Sequence, residues 1–156
     1  MNKQVWIEKA LGLGIQEFEI YQSTTVEKEM TWFQGQMDTL VSSKVTGTSI
    51  RGIVDGKMAN MALEEIDDLK SLIEQAHIIS NEETDSLRKP EPIEYAKKDV
   101  TWNMASTEYV KDILQSLEAK ILAYDPRVIQ VGYLGYSQGS GSRSIVNSLG
   151  MDVQDA

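Results

Sequence analysis

The chain of 156 residues has the size of one domain, and its 41% hydrophobic and 25% charged residues are typical of a globular protein rather than a disordered one. It contains one histidine and no cysteine, which excludes thiolate chemistry, cysteine-based zinc sites and iron–sulfur clusters. A net charge of -9 disfavours nucleic acid and anionic membrane surfaces as partners, and no apolar run reaches the length of a membrane span. We therefore expect a cytoplasmic protein.

The first part of the chain predicts a short helix followed by an antiparallel meander. Apolar residues at helical spacing begin with Val5 and Trp6, and the helix is expected to end near Gly12. Alternating and β-branched runs then predict strands over residues 17–21, 26–32, 37–41, 48–54 and 57–63. Asp55 and Gly56 separate the last two runs, and this pair is the strongest short hairpin signal because both positions favour positive φ.

Two helices are predicted after the meander, separated by a long surface connection over residues 81–99 that contains Pro90. The first helix is expected to open at Glu64 and Glu65, with an apolar stripe of Ile66, Leu69, Ile73 and Ala76. The second is expected to be capped by Ser106 and to end before Asp125. Its predicted apolar face consists of Val110, Ile113, Leu114, Leu117 and Ile121.

Strands are predicted again at 128–136 and 143–148, with a hairpin turn at Gly139 and Gly141, and a further strand begins at 151–153. The element order predicts an α+β fold, a mostly antiparallel β-sheet with helices packed on one face. We expect residues 1–156 to form a single domain. Because the final strand has no natural continuation, we expect this chain to be a fragment of a longer one.

Residues 135–139 match the G-x-S-x-G pattern in which serine hydrolases place their nucleophile, here Ser137. That pattern requires a strand-to-helix turn around the serine and, in the α/β-hydrolases, a histidine later in the chain. The residues after Ser137 instead predict a hairpin, and no histidine follows it. We therefore interpret the match as a polar hairpin tip.

The other residues with catalytic or metal-binding chemistry lack suitable neighbours in the sequence. A helical zinc site needs a second histidine three or four residues away, and His77 has none. Glu27 and Glu29 share the polar face of a predicted strand, where solvated carboxylates are the simpler interpretation. We therefore predict no catalytic residue and no metal ligand in the chain.

Several stretches, in this order along the chain, resemble the amino-terminal domain of the TldD/PmbA family, whose members are also described as modulators of DNA gyrase. The matching features are the opening helix with Gly14, the strand at 17–21, Phe33, Gly35 and Asp38, residues 47–57 (GTSIRGIVDGK), the helix at 64–80, residues 125–128 (DPRV) and residues 144–150 (SIVNSLG). The last stretch is similar to the PmbA branch, also called TldE. Ala59 departs from the pattern, since a glycine is expected there.

This resemblance implies a longer, two-domain protein of which this chain is the N-terminal domain. It also implies a zinc-dependent peptidase system for proteolysis or peptide maturation, in which paired subunits enclose a chamber for unfolded or precursor peptides. The implied partners are a peptide substrate and either a second copy of the chain, forming a homodimer, or a TldD-like subunit. The zinc motif of the family lies outside these residues, so the chain is expected to need no cofactor of its own and to be inactive alone. Its implied role is peptide handling or assembly.

Arg51 and Asn147 are the candidate peptide or interface contacts, although an arginine on a strand and an asparagine at a turn are common in purely structural roles. Two other functions stay open from the residues alone. One is a free-standing α+β module for protein interaction or regulation, and the other is a small serine hydrolase that uses Ser137.

Overall fold

The computed structural model describes residues 2–78, 84–91 and 103–155, so most of the predicted connection at 81–99 lies outside the described residues. The elements in chain order are α1 (Lys3–Gly12), β1 (Glu17–Phe33), β2 (Gln36–Val54), β3 (Lys57–Leu63), α2 (Lys70–Ile78), α3 (Thr107–Tyr124), β4 (Leu134–Asn147) and β5 (Asp152–Asp155). The strands form one antiparallel sheet in the order β3-β2-β1-β4-β5, which confirms the predicted α+β class. None of the described helices is long and apolar enough to cross a membrane.

Residue contacts divide the chain into two units, each with its own core. Unit 1 consists of Met1–Thr24, Val45–Tyr95 and Gly141–Ala156, and unit 2 consists of Thr25–Lys44 and Ala96–Ser140. In unit 1, α1 and α2 pack on one face of the strands, in a cluster made of Ile7, Ala10, Ile15, Phe18, Ile20, Ile50, Val54, Ala59, Ile66, Leu69, Leu72 and Ala76. In unit 2, α3 packs through Val110 and Leu114 on Met30 and Trp32 of β1. Helices therefore cover one strand face within each unit.

The hairpin between β2 and β3 forms as the sequence predicts. Asp55 and Gly56 both have positive φ, 50° and 72°, and Val54 pairs with Lys57 across the turn. The bounds of β3 are those predicted. Helix α1 begins after Asn2, whose side chain accepts a hydrogen bond from the backbone N–H of Gln4 at 3.1 Å.

Strands β1 and β2 are each continuous, so the division of these segments into shorter strands was wrong. The polar residues between the predicted strands sustain the pairing of β1 with β2 rather than ending it. Gln22 donates a hydrogen bond to Thr48 at 3.3 Å, and the hydroxyls of Thr24 and Thr46 are 3.0 Å apart. Threonine suits a pleated strand, so these residues extend the ladder without an apolar alternation.

The predicted hairpin at Gly139 and Gly141 was also wrong, because both glycines lie inside the single strand β4. A Cβ atom at Gly139 would lie 3.3 Å from the carbonyl oxygen of Val26, and one at Gly141 would lie 3.6 Å from that of Thr24. These glycines therefore mark close approach to the backbone of β1 rather than a turn. Strand β4 begins at Leu134, not at residue 128, and pairs with β5, which confirms the strand predicted from 151.

Helix α2 begins at Lys70, six residues later than predicted from Glu64. The side chain of Asp68 accepts a hydrogen bond from the backbone N–H of Lys70 at 2.9 Å, as residues that precede helices do. Ile66 and Leu69 precede the helix yet are buried in the core of unit 1. Their helical spacing therefore reflected burial in a segment that is not helical.

Helix α3 has the predicted ends, with Ser106 accepting a hydrogen bond from the N–H of Tyr109 at 3.1 Å and Asp125 as its C-cap. Only part of its predicted apolar face is buried. Ile113 and Leu117 are 37% and 42% exposed. The width of the apolar stripe therefore exceeds the surface that the strands of unit 2 cover.

Candidate functional site

The structure brings Arg51 and Asn147, the two candidate contact residues, to the same carboxylate. Arg51 lies on β2 and Asn147 is the last residue of β4, and both bind Glu19 on β1, which is 5% exposed. Arg51 Nε donates to Glu19 Oε1 at 2.6 Å, and Asn147 Nδ2 donates to Glu19 Oε2 at 3.3 Å. Each oxygen of the buried carboxylate therefore has its own donor, as burial of a charge requires.

Strand alternation explains why Glu19 meets these partners. Phe18 and Ile20 point into the core of unit 1, so Glu19 points to the opposite face of the strand. On β2, Ile50 enters the same core and Arg51 lies on the opposite face by the same rule. The two charged side chains thus meet across neighbouring strands, on the face that α1 and α2 leave uncovered.

Asn147 also organises the turn between β4 and β5. Its Oδ1 accepts hydrogen bonds from the backbone N–H groups of Leu149 and Met151, both at 3.0 Å, and its Nδ2 donates to the carbonyl oxygen of Arg88 at 2.8 Å. The turn includes Gly150 with a φ of 91°. Because Asn147 is 4% exposed, it holds the backbone and Glu19 in place and has little surface left for a ligand.

Arg51 differs from Asn147 because its side chain is 41% exposed. It borders a shallow cavity of about 290 Å³ that is also lined by Glu19, Tyr21, Ser49 and Ile145. All five residues belong to unit 1. The cavity combines one buried carboxylate, one accessible guanidinium, two hydroxyls and an apolar wall, which is a composition suited to a small polar group.

Unit 2 contains a second buried carboxylate, Glu118 of α3, which the sequence did not single out. Its Oε2 accepts a hydrogen bond from Trp32 Nε1 at 2.7 Å, and its Oε1 accepts one from the backbone N–H of Gly35 at 3.2 Å. The spacing of α3 could have indicated its burial, because Glu118 follows Val110 and Leu114 at intervals of four residues and so lies on the buried side of the helix. Glu118 joins α3 to the turn after β1 and has a structural role.

Ser137 lies within β4, on an exposed position, so it is neither the predicted hairpin tip nor a nucleophile at a strand-to-helix turn. It lines a depression of about 200 Å³ together with Glu27, Glu29, Gln138 and Gly139. Glu27 and Glu29 are exposed, in agreement with solvated carboxylates. In the described ranges no hydrogen bond joins the Ser137 hydroxyl to a base.

His77 is an exposed residue near the end of α2. Over residues 2–78, 84–91 and 103–155, no group of three or more histidine, cysteine, aspartate and glutamate side chains is arranged to hold a metal ion. The zinc that the family resemblance implies therefore finds no suitable donor set among these residues.

Two protein-family sequence models match the chain. The model of PmbA/TldA metallopeptidase domain 1 matches residues 18–80, and that of the PmbA/TldA metallopeptidase central domain matches residues 101–156. No curated protein matches the chain. The prediction that the chain is a single domain of a longer protein stays a prediction.

Solved structures share the fold at low sequence identity. TldE from Thermococcus kodakarensis matches with 22% identity and a TM-score of 0.77, over 98% of this chain and 36% of its own. A Thermotoga maritima protein provisionally named a modulator of DNA gyrase matches with 20% identity and a TM-score of 0.77, over 98% of this chain and 36% of its own. A Bacteroides thetaiotaomicron protein with the same provisional name matches with 17% identity and a TM-score of 0.73, over 97% of this chain and 37% of its own. The chain thus spans little more than a third of each of these proteins.

The two family models together cover well over half of the residues of this chain. The chain therefore belongs to the PmbA/TldD family.

Proposed function

We propose that this chain is a peptide-handling and assembly domain of a TldD/PmbA-type metalloprotease system that acts in proteolysis or peptide maturation. The observation that carries the proposal is the match to two metallopeptidase domains of one family along the chain. In this proposal the chain has no catalytic centre, and zinc belongs to a region or partner outside it. Its task is to hold an extended or unfolded peptide.

The edge of the sheet formed by β3 supports this proposal. Strand β3 is at one end of the strand order, and β2 is its sheet neighbour. Val54 and Lys57 flank a two-residue turn and so form a hydrogen-bonded pair. Because such pairs alternate along an antiparallel ladder, the backbone groups of Ala59 and Met61 also bond to β2. The backbone groups of Asn60 and Ala62, between and beyond them, point to the outer edge. An extended peptide can pair with such groups whatever its side chains are.

A proline on the outer edge tests this mode of binding. The probe is an eight-residue peptide of neutral side chains, acetylated and amidated, and labelled with a neutral fluorophore. We expect saturable binding by anisotropy, and we expect Ala62→Pro to weaken it at least about tenfold, because proline removes one N–H group without removing a bond to β2. Ala62→Ser is the matched control and should bind like the parent. Failure of this probe to saturate at millimolar concentration would overturn pairing along the β3 edge.

The exposed side of α3 favours a second candidate, a protein-interaction module that pairs with a second copy of the chain or with a TldD-like subunit. Tyr109, Ile113 and Leu117 recur at intervals of four residues, are 60%, 37% and 42% exposed, and line a groove of about 480 Å³. Asp112 and Lys120 also line this groove, so its charges suit an antiparallel copy of the same helix.

Sedimentation equilibrium distinguishes this candidate. A dimer of the chain that Ile113→Ser with Leu117→Ser converts to monomer would support self-association through α3. Substitution of Leu122, which is 38% exposed and does not line the groove, to serine is the control. A monomer at all concentrations would exclude pairing with a second copy.

A further inference from the structure

The cavity beside Arg51 contains hydrogen-bond donors that the folded chain leaves unused. Arg51 donates through Nε to Glu19. No described residue accepts a hydrogen bond from its Nη1 or Nη2 atoms. The hydroxyls of Tyr21 and Ser49, which line the same cavity, also have no hydrogen-bond partner among the described residues. Three side chains therefore present polar groups to solvent in a small space.

The buried carboxylate fixes how Arg51 presents its donors. Glu19 is held on its other oxygen by Asn147, which is itself fixed by the turn between β4 and β5. The short bond from Nε to this anchored oxygen sets the plane of the guanidinium. Its two Nη atoms are then a fork whose geometry matches the two oxygens of a carboxylate.

We propose that Arg51, with the hydroxyls of Tyr21 and Ser49, binds a carboxylate of the peptide, while Ile145 contacts the carbon atoms next to it. This inference rests on the proposed peptide-handling function and names the group that the cavity recognises. A singly charged anion suits the cavity better than a phosphate dianion, because Glu19 already balances the one cation there and the whole chain carries -9. The carboxylate can come from the C-terminus of a peptide or from an aspartate or glutamate side chain.

Three versions of the neutral probe peptide separate these sources. The first has a free C-terminal carboxylate, the second is amidated, and the third is amidated with one internal glutamate. We expect the free acid to bind about tenfold more tightly than the amide, as for one charge-assisted bidentate contact. If the internal glutamate gives the same gain, the site accepts any carboxylate, and if it gives none, the site reads the C-terminus.

Variants assign the preference to this cavity. Arg51→Lys keeps the charge opposite Glu19 but loses the fork, so the preference for the acid should fall below about threefold. Arg143→Lys makes the same change on an exposed arginine of β4 that does not line the cavity, and the preference should persist. Tyr21→Phe and Ser49→Ala leave the ion pair intact and should each lower the preference about two- to threefold. Circular dichroism checks that each variant folds. If Arg51→Lys does not fold, Tyr21→Phe and Ser49→Ala test the proposal in its place.

The outcomes separate this inference from the proposed function. If all three peptides bind equally, carboxylate recognition is wrong while peptide binding stands. If Arg51→Lys folds and keeps the full preference, the site lies elsewhere and the inference is overturned. If the acid binds but the amide does not, the carboxylate site stands and pairing along the β3 edge is wrong. If no peptide binds, both are overturned.

Discussion

Glu19 in unit 1 and Glu118 in unit 2 are both buried, yet they are satisfied in different ways. Glu19 faces a cation and an amide, and the cation is half in solvent. Glu118 faces an indole N–H and a backbone N–H, both neutral. The donors of Glu118 have no spare groups for a ligand, whereas Arg51 keeps two. The comparison indicates that a buried acid leaves hydrogen-bond donors open to solvent only when its partner reaches the surface.

The apolar packing of the two units differs as well. In the described part of the chain the cluster of unit 1 has twelve buried residues, nine of them in five helices and strands, whereas that of unit 2 has four. We therefore expect much of the stability of unit 2 to depend on Trp32, which is the largest fully buried side chain and the donor to Glu118. The following predictions test these contrasts, from the largest expected effect to the smallest.

Trp32→Ala should have the largest effect. It removes the main side chain of a four-residue core and leaves an oxygen of Glu118 without its donor, so we expect a loss of about 3–5 kcal/mol in the free energy of unfolding. Phe33→Ala, at the next position and 38% exposed, should cost less than about 1 kcal/mol. Urea unfolding measures both, and equal losses would show that unit 2 does not depend on Trp32.

Asn147→Asp should cost about 3 kcal/mol at neutral pH. The substitution replaces the donor to Glu19 and to the Arg88 carbonyl by a carboxylate at a position that is 4% exposed. Protonation of the new acid restores a donor, so the loss should shrink as pH falls. Asn60→Asp on the exposed side of β3 should cost less than about 0.5 kcal/mol. A loss independent of pH would contradict the role given to the amide.

Gly52→Ala should destabilise unit 1 by about 1–3 kcal/mol, because the added Cβ would lie 2.9 Å from Ile15 Cγ2 and 2.9 Å from Leu72 Cδ2 in a filled core. Gly47→Ala on the same strand is the control, since the nearest atom to its Cβ, Ser23 Oγ, is at 3.8 Å. We expect Gly47→Ala to lie within about 0.5 kcal/mol of the parent in thermal unfolding. Similar melting temperatures for the two variants would show that the core of unit 1 is more adaptable than its packing indicates.

Asp125 should give the smallest effect. Hydrogen bonds from the Arg127 side chain and backbone lower the pKa of Asp125 below its ordinary value of 3.8. Because the pKa is lower in the folded protein, the pair contributes stability above pH 3.8 and loses that contribution as pH falls through the folded pKa. Carboxyl-carbon NMR titration should show this lowered pKa, and Arg127→Gln should return it toward 3.8. An unchanged pKa in that variant would exclude the side-chain contact as the main cause.

Local signals in the sequence were sufficient for several elements. Asp55 with Gly56 defined a turn whose φ values depend on these two residues alone, and Ser106 defined the start of α3 through a bond to the N–H three residues later. Gly139 misled the prediction, because a glycine at a turn and a glycine at a close backbone approach have the same appearance in a sequence.

The class of fold could thus be predicted from the residues, since periodicity and turn chemistry act over a few residues. The family was predicted from the resemblance of several stretches, in order along the chain, to a known family. The joining of the two candidate residues, Arg51 and Asn147, at Glu19 could not be predicted. Alternation places Glu19 and Arg51 on a strand face, but only the pairing of β1 with β2 and β4 brings them together with Asn147, 128 positions after Glu19. Strand order and register are set by the packing of the whole sheet, and this packing turned two separate candidates into one site.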